Sequence, residues 1–522
     1  MSACDRRSMP RRCLAFSLTT IVSFLLASCG SDSRPLMPSS PLSPVPLTRL
    51  STDTFTNTSS QHATEVEPGA FAFGSTIVTA FQVGRIFAGG GADIGFATSM
   101  DGGGTWNNGF LPGITVFQGA GPFTAASDPV VAFDAKHGLW LISLLALGRT
   151  NTTPANAVVI SWSRDGISWS NWATDPIEVS HTADADKDWI VCDNGPPSPN
   201  YGNCYVEWDD PSQNANDLIW MSVSNDGGQT WQTAQNTQDG AHGLGGVPVV
   251  ERNGTVIVPI MEVCTTQSCA PSILSFSSLN GGGSWSSTTR ISTISDHQVA
   301  GNLRSDPLPA AQVDGDGTVY VVWQDCRFRV NCSSNDLVLS ASPNGTTWTA
   351  LSRIPIDPTS STFDHFIPGL GIDPMTSGSS AHLALTFYFY PNAACGASTC
   401  QLEIGFISSA DGGQTWASPT TLTIPMSLAW LPNTFSGVMV GDYIATVLTG
   451  GKALPIFALA NAPPGTQPFD EAIYTTSSPL AVDARARRFT SAGEHPVPGA
   501  GSDHAARQFY DLEHRYPVVP PK

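Results

Sequence analysis

The chain has 522 residues, only 13% of them charged, and its formal net charge is -19. Acids outnumber bases 43 to 24, which excludes nucleic acid as an expected partner, since phosphate backbones need a broad basic face. Apolar residues at 41% supply a large core, and a chain of this length needs more than one small core to organise it.

Arg6, Arg7, Arg11 and Arg12 precede an apolar run from Leu14 to Ala27, the pattern of a secretory signal. It ends Leu26-Ala27-Ser28-Cys29, which resembles a bacterial lipobox and implies cleavage after residue 28 and lipidation of Cys29. An ordinary signal peptide with a chance cysteine is the alternative. No Asp follows Cys29 directly to suggest inner-membrane retention, and no other run is long enough to span a bilayer. The expectation is an exported protein, anchored by lipid on the periplasmic side or at the cell surface. Residues 29–46 are rich in Pro and Ser and read as a tether. The globular region is expected over 47–480, followed at 481–522 by a disordered or loosely packed tail without a strand pattern.

A single phrase recurs through the globular region. Ser99 to Trp106 reads SMDGGGTW, Ser224 to Trp231 SNDGGQTW, Ser278 to Trp285 SLNGGGSW and Ser409 to Trp416 SADGGQTW. Shorter copies are Ser163 to Trp169 (SRDGISW) and Ser342 to Trp348 (SPNGTTW). Repeats of this kind set the register of a fold. Each copy follows an alternating apolar run, such as Ala157 to Trp162, and the Asp-Gly pair is hairpin-turn chemistry. The Asp or Asn accepts backbone N–H groups inside the turn. The Trp then packs over it with an indole N–H that needs an acceptor. Asp101, Trp106, Asp165, Trp169, Asp226, Trp231, Asn280, Trp285, Asn344, Trp348, Asp411 and Trp416 are therefore scaffold, because a feature repeated around a fold is structural while function sits in unique places.

These residues are the Asp-box, or BNR-repeat, signature, and the chain resembles the sialidase superfamily of Asp-box β-propellers over most of its mature length. The resemblance implies an all-β propeller; it says little about the reaction, since such propellers include sialidases, other glycoside-active proteins and receptors without catalysis.

Each unit in chain order opens with an inner strand that starts near an acid. The first spans about 65–117, with strands near Ala70, Ile77 to Gln82 and Ile94 to Thr98. The second starts at Asp128, with Leu139 to Leu147 and Ala157 to Trp162 behind it; the third starts at Asp188, with Cys204 to Trp208 and Leu218 to Val223. The fourth starts near Gly246 and continues through Val256 to Glu262; the fifth starts at Asp306, followed by Val319 to Trp323; the sixth starts at Asp364, followed by His382 to Tyr390. A seventh unit without a box runs from Gly441 through Leu454 to Ala460 and Glu471 to Thr475. It lacks a fourth strand, which Leu47 to Leu50 would supply. The resemblance alone implies six blades, whereas the strand count favours seven.

Beyond Cys4, Cys13 and Cys29, the cysteines fall into close pairs: Cys192 with Cys204, Cys264 with Cys269, Cys326 with Cys332 and Cys395 with Cys400. No metal spacing appears among them, and in an exported protein neighbouring disulfides are expected. The last three pairs close loops on the rim opposite the boxes, where short crosslinks preorganise a surface.

That rim carries the candidate chemistry. Strand starts place Asp128, Asp188, Asp306, Asp364 and Asp442 there, with Lys187, Trp189, Arg304, His365 and Tyr443 beside them. Loops add Trp208, Glu262, Asp325 and Arg327. Carboxylates, arginines and aromatic faces suit a sugar; for each single Asp, turn capping is the competing role. Arg304, Asp306, Asp325 and Arg327 form the densest expected cluster, with a mutual ion-pair network as its competitor. The alternating acids of His181 to Asp188 lack the Gly and Glu of a calcium loop, so no metal or cofactor is assigned and structural calcium stays unsupported. A monomer is expected.

A sialidase is implied to use three arginines on its substrate carboxylate, a Tyr nucleophile with a Glu helper, and an Asp acid/base. This chain departs from the family: Gly84-Arg85-Ile86-Phe87 is its nearest text to Phe-Arg-Ile-Pro and lacks the Pro. Arg304, Arg327 and Arg329 all come from one unit. Asp306, Asp325, Glu262 and Tyr443 remain catalytic candidates without assigned roles. Two functions follow: a surface propeller that binds extracellular glycan or glycoprotein, and a glycoside hydrolase using rim carboxylates.

Overall fold

The computed structural model describes residues 44–149, 152, 155–182, 184–212, 215–266, 269–483 and 489–490. The expected signal, Cys29, most of the tether and residues 491–522 of the tail lie outside them.

The described residues are all-β, built from antiparallel sheets with only single-turn helices between strands. The innermost strands are β1 (Glu65–Phe73), β2 (Ala125–Asp134), β3 (Asp186–Cys192), β4 (Val249–Val250), β5 (Ala310–Val313), β6 (Asp364–Ile372) and β7 (Ala445–Thr449). From each, the chain meanders outward through neighbouring antiparallel strands, as Leu139–Leu147, Asn156–Ser163 and Ile177–Thr182 do from β2. Nearly continuous apolar runs suit these strands because neighbouring sheets cover both faces. Leu141, Leu145, Val158 and Ile160 of the second sheet accordingly bury against Val206 and Trp208 of the third.

The inner strands pack side by side in a closed order, each on the next, and β7 returns onto β1. This is the radial plan of a β-propeller. The last sheet is completed by the start of the chain: Leu47–Arg49 pairs with Glu471–Thr476. Two connections differ from the expected units. The first two sheets are joined directly through the pair Gly91 and Ala126. Residues 489–490, placed in the tail, pair with Thr415–Trp416 of the last box; the sequence there shows no alternation to announce a strand.

The boxes are hairpin staples. In the last copy Asp411 accepts the Thr415 backbone N–H at 2.8 Å and the Ser409 hydroxyl at 2.9 Å, while Ser409 Oγ accepts the Gly413 N–H. The indole acceptor lies within the box: Trp416 Nε1 donates to Gly413 O at 3.1 Å, as Trp106, Trp231 and Trp348 do to Gly103, Gly228 and Gly345. Gly413 has φ of 82°, a left-handed conformation that glycine adopts without strain.

All four disulfides form as paired in the sequence. Cys192–Cys204 staples the hairpin after β3, while the other three close loops at the opposite end of their sheets. Disulfides persist in oxidising compartments, which places the chain outside the cytosol. No helix among the described residues is long and apolar enough to cross a membrane.

Candidate functional site

The site is built by a backbone irregularity that recurs in the inner strands. Register shifts occur in β1 between Val66 and Gly69, in β2 between Ser127 and Val130, in β3 between Asp186 and Trp189, and in β6 between Phe366 and Gly369. At each bulge one non-glycine residue has positive φ: Glu67 at 55°, Asp128 at 49°, Lys187 at 49° and Ile367 at 48°. This conformation is costly for such residues and persists only where the surroundings over-determine it. A bulge re-aims a side chain, and here three of the four re-aimed side chains meet.

Lys187 is the hub. Its Nζ lies 3.4 Å from Asp128 and 3.6 Å from Glu67 and forms an ion pair with Asp442, which also pairs with Arg304. All five side chains are buried. Glu67 further accepts the Asp442 N–H at 3.2 Å and a bond from Gln82 Nε2, which also donates to Ser127 at 3.0 Å. Gly441 permits this closeness, since a Cβ there would meet the backbone of Glu67.

The shared environment drives the carboxyls apart. Burial and the neighbouring Asp128 raise Glu67 to about 7, against the pull of Lys187. Burial also opposes ionisation of Asp442, but Arg304 and Lys187 overcome it and hold that carboxyl below the usual range. Lys187 stays charged because Asp128, Asp442 and Glu67 outweigh its burial. Arg85 is lowered to about 10 by burial and by the nearby Arg304.

Next to this hub a cavity of about 70 Å³ is walled by Lys187, Asp188, Trp189, Asp306, Asp442 and Tyr443, with Pro68, Leu308 and Ile367 among its apolar lining. That volume holds roughly five waters, the scale of a sugar substituent. Trp189 and Tyr443 meet edge to face with centroids 5.4 Å apart. The Tyr443 hydroxyl donates to Pro129 O at 3.3 Å. Burial, then Glu67, Asp128, Asp188 and Asp442, raise its phenol well above the ordinary value, so it is poorly disposed to lose its proton.

The structure thus brings together Asp128, Asp188, Trp189, Arg304, Asp306, Asp442 and Tyr443. It disperses the rest. Arg327 clasps Asp325 at 2.8 and 2.7 Å and ties down the Ser292–Thr293 strand end. Asp325 also accepts the Ser295 and Arg327 backbone N–H groups; both residues staple a loop. Arg329 is fully buried against Asp336 and Asp357. Arg304, Arg327 and Arg329 therefore serve three separate acid groups and do not converge. Trp208 is core. Asp364 accepts the Asn335 N–H at 2.7 Å, and burial raises it to about 7. His365 packs among Phe363, Phe387 and Phe389, and burial lowers it to about 4. Glu262 ends its strand half-buried, outside the cavity wall.

Glu67 and Glu207 are absent from the residues that the sequence singles out. Glu67 had a signal: Glu67-Pro68, Asp128-Pro129 and Ile367-Pro368 occupy matching places in their units, each directly before the residue that resumes strand pairing. Glu207 had none, since one acid inside a strand is indistinguishable from a solvated one. Asp336, Asp357 and His365 lie close enough to share an ion, but Arg329 and Arg353 already neutralise the two acids, a poor fit for a metal.

No family model matches the chain, and no curated protein matches it in sequence. Solved structures show a limited likeness. A Dyadobacter fermentans protein of unknown function shares 13% identity, covering 67% of this chain and 93% of its own, with a TM-score of 0.40. A polysaccharide lyase, the PL25 ulvan lyase, shares 11% over 82% of this chain and 95% of its own, with a TM-score of 0.48. The Trypanosoma rangeli sialidase in complex with sialic acid shares 11% over 84% of this chain and 59% of its own, with a TM-score of 0.41.

Proposed function

We propose that this protein is an exported Asp-box propeller, lipid-anchored at Cys29, that binds extracellular glycan at the cavity beside Lys187. The ring is read as seven-bladed, closed by Leu47–Arg49; the cyclic packing of β1 to β7 and that strand pairing support the count. One observation carries the binding reading: Trp189 and Tyr443 stand together on the wall of a cavity whose other ionisable groups are Lys187, Asp188, Asp306 and Asp442. An aromatic face packs on the C–H face of a sugar while carboxylates and the ammonium bond its hydroxyls.

A second reading, glycoside hydrolysis, is favoured by Glu67 and Asp442. They share Lys187 yet are driven in opposite directions, the pattern of an acid and an ionised partner. The three arginines implied by sialidase resemblance find no support in Arg304, Arg327 and Arg329.

Purified protein on a panel of immobilised glycans tests both. The first reading expects retention without turnover, and Trp189→Ala to weaken it at least tenfold in protein that still melts cooperatively. Hydrolysis expects released sugar, with the rate falling about 10²–10⁴-fold in Glu67→Gln. Retention of no glycan at all overturns both.

A further inference from the structure

The wall of the cavity is unbalanced in sign. Its ionisable members are Lys187 against Asp188, Asp306 and Asp442. Lys187 is already engaged with Glu67, Asp128 and Asp442, and Arg304 with Asp442. Asp188 is different. It is 1% exposed, and neither of its carboxylate oxygens has a hydrogen-bond partner; the Ser143 hydroxyl lies close by without normal hydrogen-bond geometry. Glu207, on the neighbouring strand, is equally buried and neither of its oxygens has a partner. It packs against Gly246, where a Cβ would collide with its carboxylate, so the sequence has kept room for the acid.

A buried acid without a partner costs folding free energy, and it is tolerated where a ligand satisfies it. An anionic ligand would deepen the imbalance. Left alone, burial favours the protonated form of Asp188, and a neutral hydroxyl would not change that. An ammonium group lets the carboxylate ionise against it, and the adjacent Trp189 and Tyr443 rings offer the π faces that attract ammonium groups. We infer that the cavity takes the free ammonium group of an amino sugar, with Asp188 as its direct acceptor and Trp189 and Tyr443 as its aromatic walls. The net charge of -19 favours approach of such a ligand. This inference rests on the glycan-binding reading and specifies its ligand.

Calorimetry at pH 6 on the wild-type protein compares fully de-N-acetylated chitotetraose, its N-acetylated counterpart and sialyllactose. The inference expects the amine form to bind at least tenfold more tightly than the acetylated form, and sialyllactose most weakly. Asp188→Asn should erase that preference, with folding checked by thermal melting. If Asp188→Asn fails to fold, the wild-type preference decides alone. Equal or tighter binding of the acetylated or sialylated sugar overturns the inference and leaves the glycan reading standing. Binding of none overturns both.

Discussion

Lys187 shows what one residue does when a bulge turns it inward. It is the shared counter-ion of Glu67, Asp128 and Asp442. Replacing it by Met leaves buried carboxylates uncompensated, and breaking such a group costs about 3–5 kcal/mol. Lys187→Met is therefore expected to lower the urea midpoint strongly, far more than a typical surface change. The box residues behave differently. Asp411→Ala removes acceptors for Thr415 and Ser409 in one hairpin. By analogy with loss of a capping side chain, the cost is about 0.5–2 kcal/mol, seen as a lower melting temperature with glycan retention intact. Loss of retention at unchanged melting temperature would mean that the box belongs to the site.

Among the elements, the strand Leu47–Arg49 has the largest consequence for its length. It covers the edge of Glu471–Thr476. Leu50 beside it is buried and donates to Ile473 O at 2.7 Å, and Ser51 Oγ accepts the Ile473 N–H at 2.8 Å. A chain that starts at residue 52 loses the burial of Leu50, about 1.5–3 kcal/mol, together with the strand pairing. Its expected behaviour is a lower melting temperature and faster proteolysis within Glu471–Thr476, compared with a chain that starts at residue 44. An unchanged melt would show that this strand is dispensable for closing the last sheet.

At the scale of the whole molecule, buried acids set the response to pH. Burial raises Glu65 to about 8, against the Ser51 hydroxyl and Arg49, and Glu67 and Asp364 each to about 7. Glu207 and Glu471 are also raised well above the ordinary value, by burial and by Asp188 and Glu65 respectively. In the unfolded chain these groups lose their protons near pH 4 to 4.5, while the native state keeps them. The native state binds more protons across that interval, so stability falls as pH rises from about 4.5 to 8. The box acids act in reverse. Backbone and hydroxyl donors lower Asp101 and Asp165 to about 2, and their contribution is lost as pH falls from about 4 to 2. Calorimetric melting across pH 3–9 should therefore peak near pH 4–5. A maximum above pH 7 would contradict the buried, protonated state of these carboxyls.

The boxes, strand positions and four disulfides were legible in the sequence because each depends on neighbours along the chain. A turn needs its own Asp and Gly, a strand its own alternation, and a short disulfide loop two nearby cysteines. Even the outer strand from residues 47–50 followed from counting strands. Which charges meet was not legible. Arg304, Asp306, Asp325 and Arg327 stand close in sequence, yet Arg304 pairs with Asp442 from another sheet while Arg327 turns back on Asp325. Glu67 is more than a hundred residues from Lys187 in the chain and 3.6 Å from it in the fold. The sequence by itself determined the repeating framework, because hairpins are local. Only the tertiary structure decided the site, because closing the ring brings bulged inner strands from distant sheets to one point, where burial and long-range charge assign each group its partner.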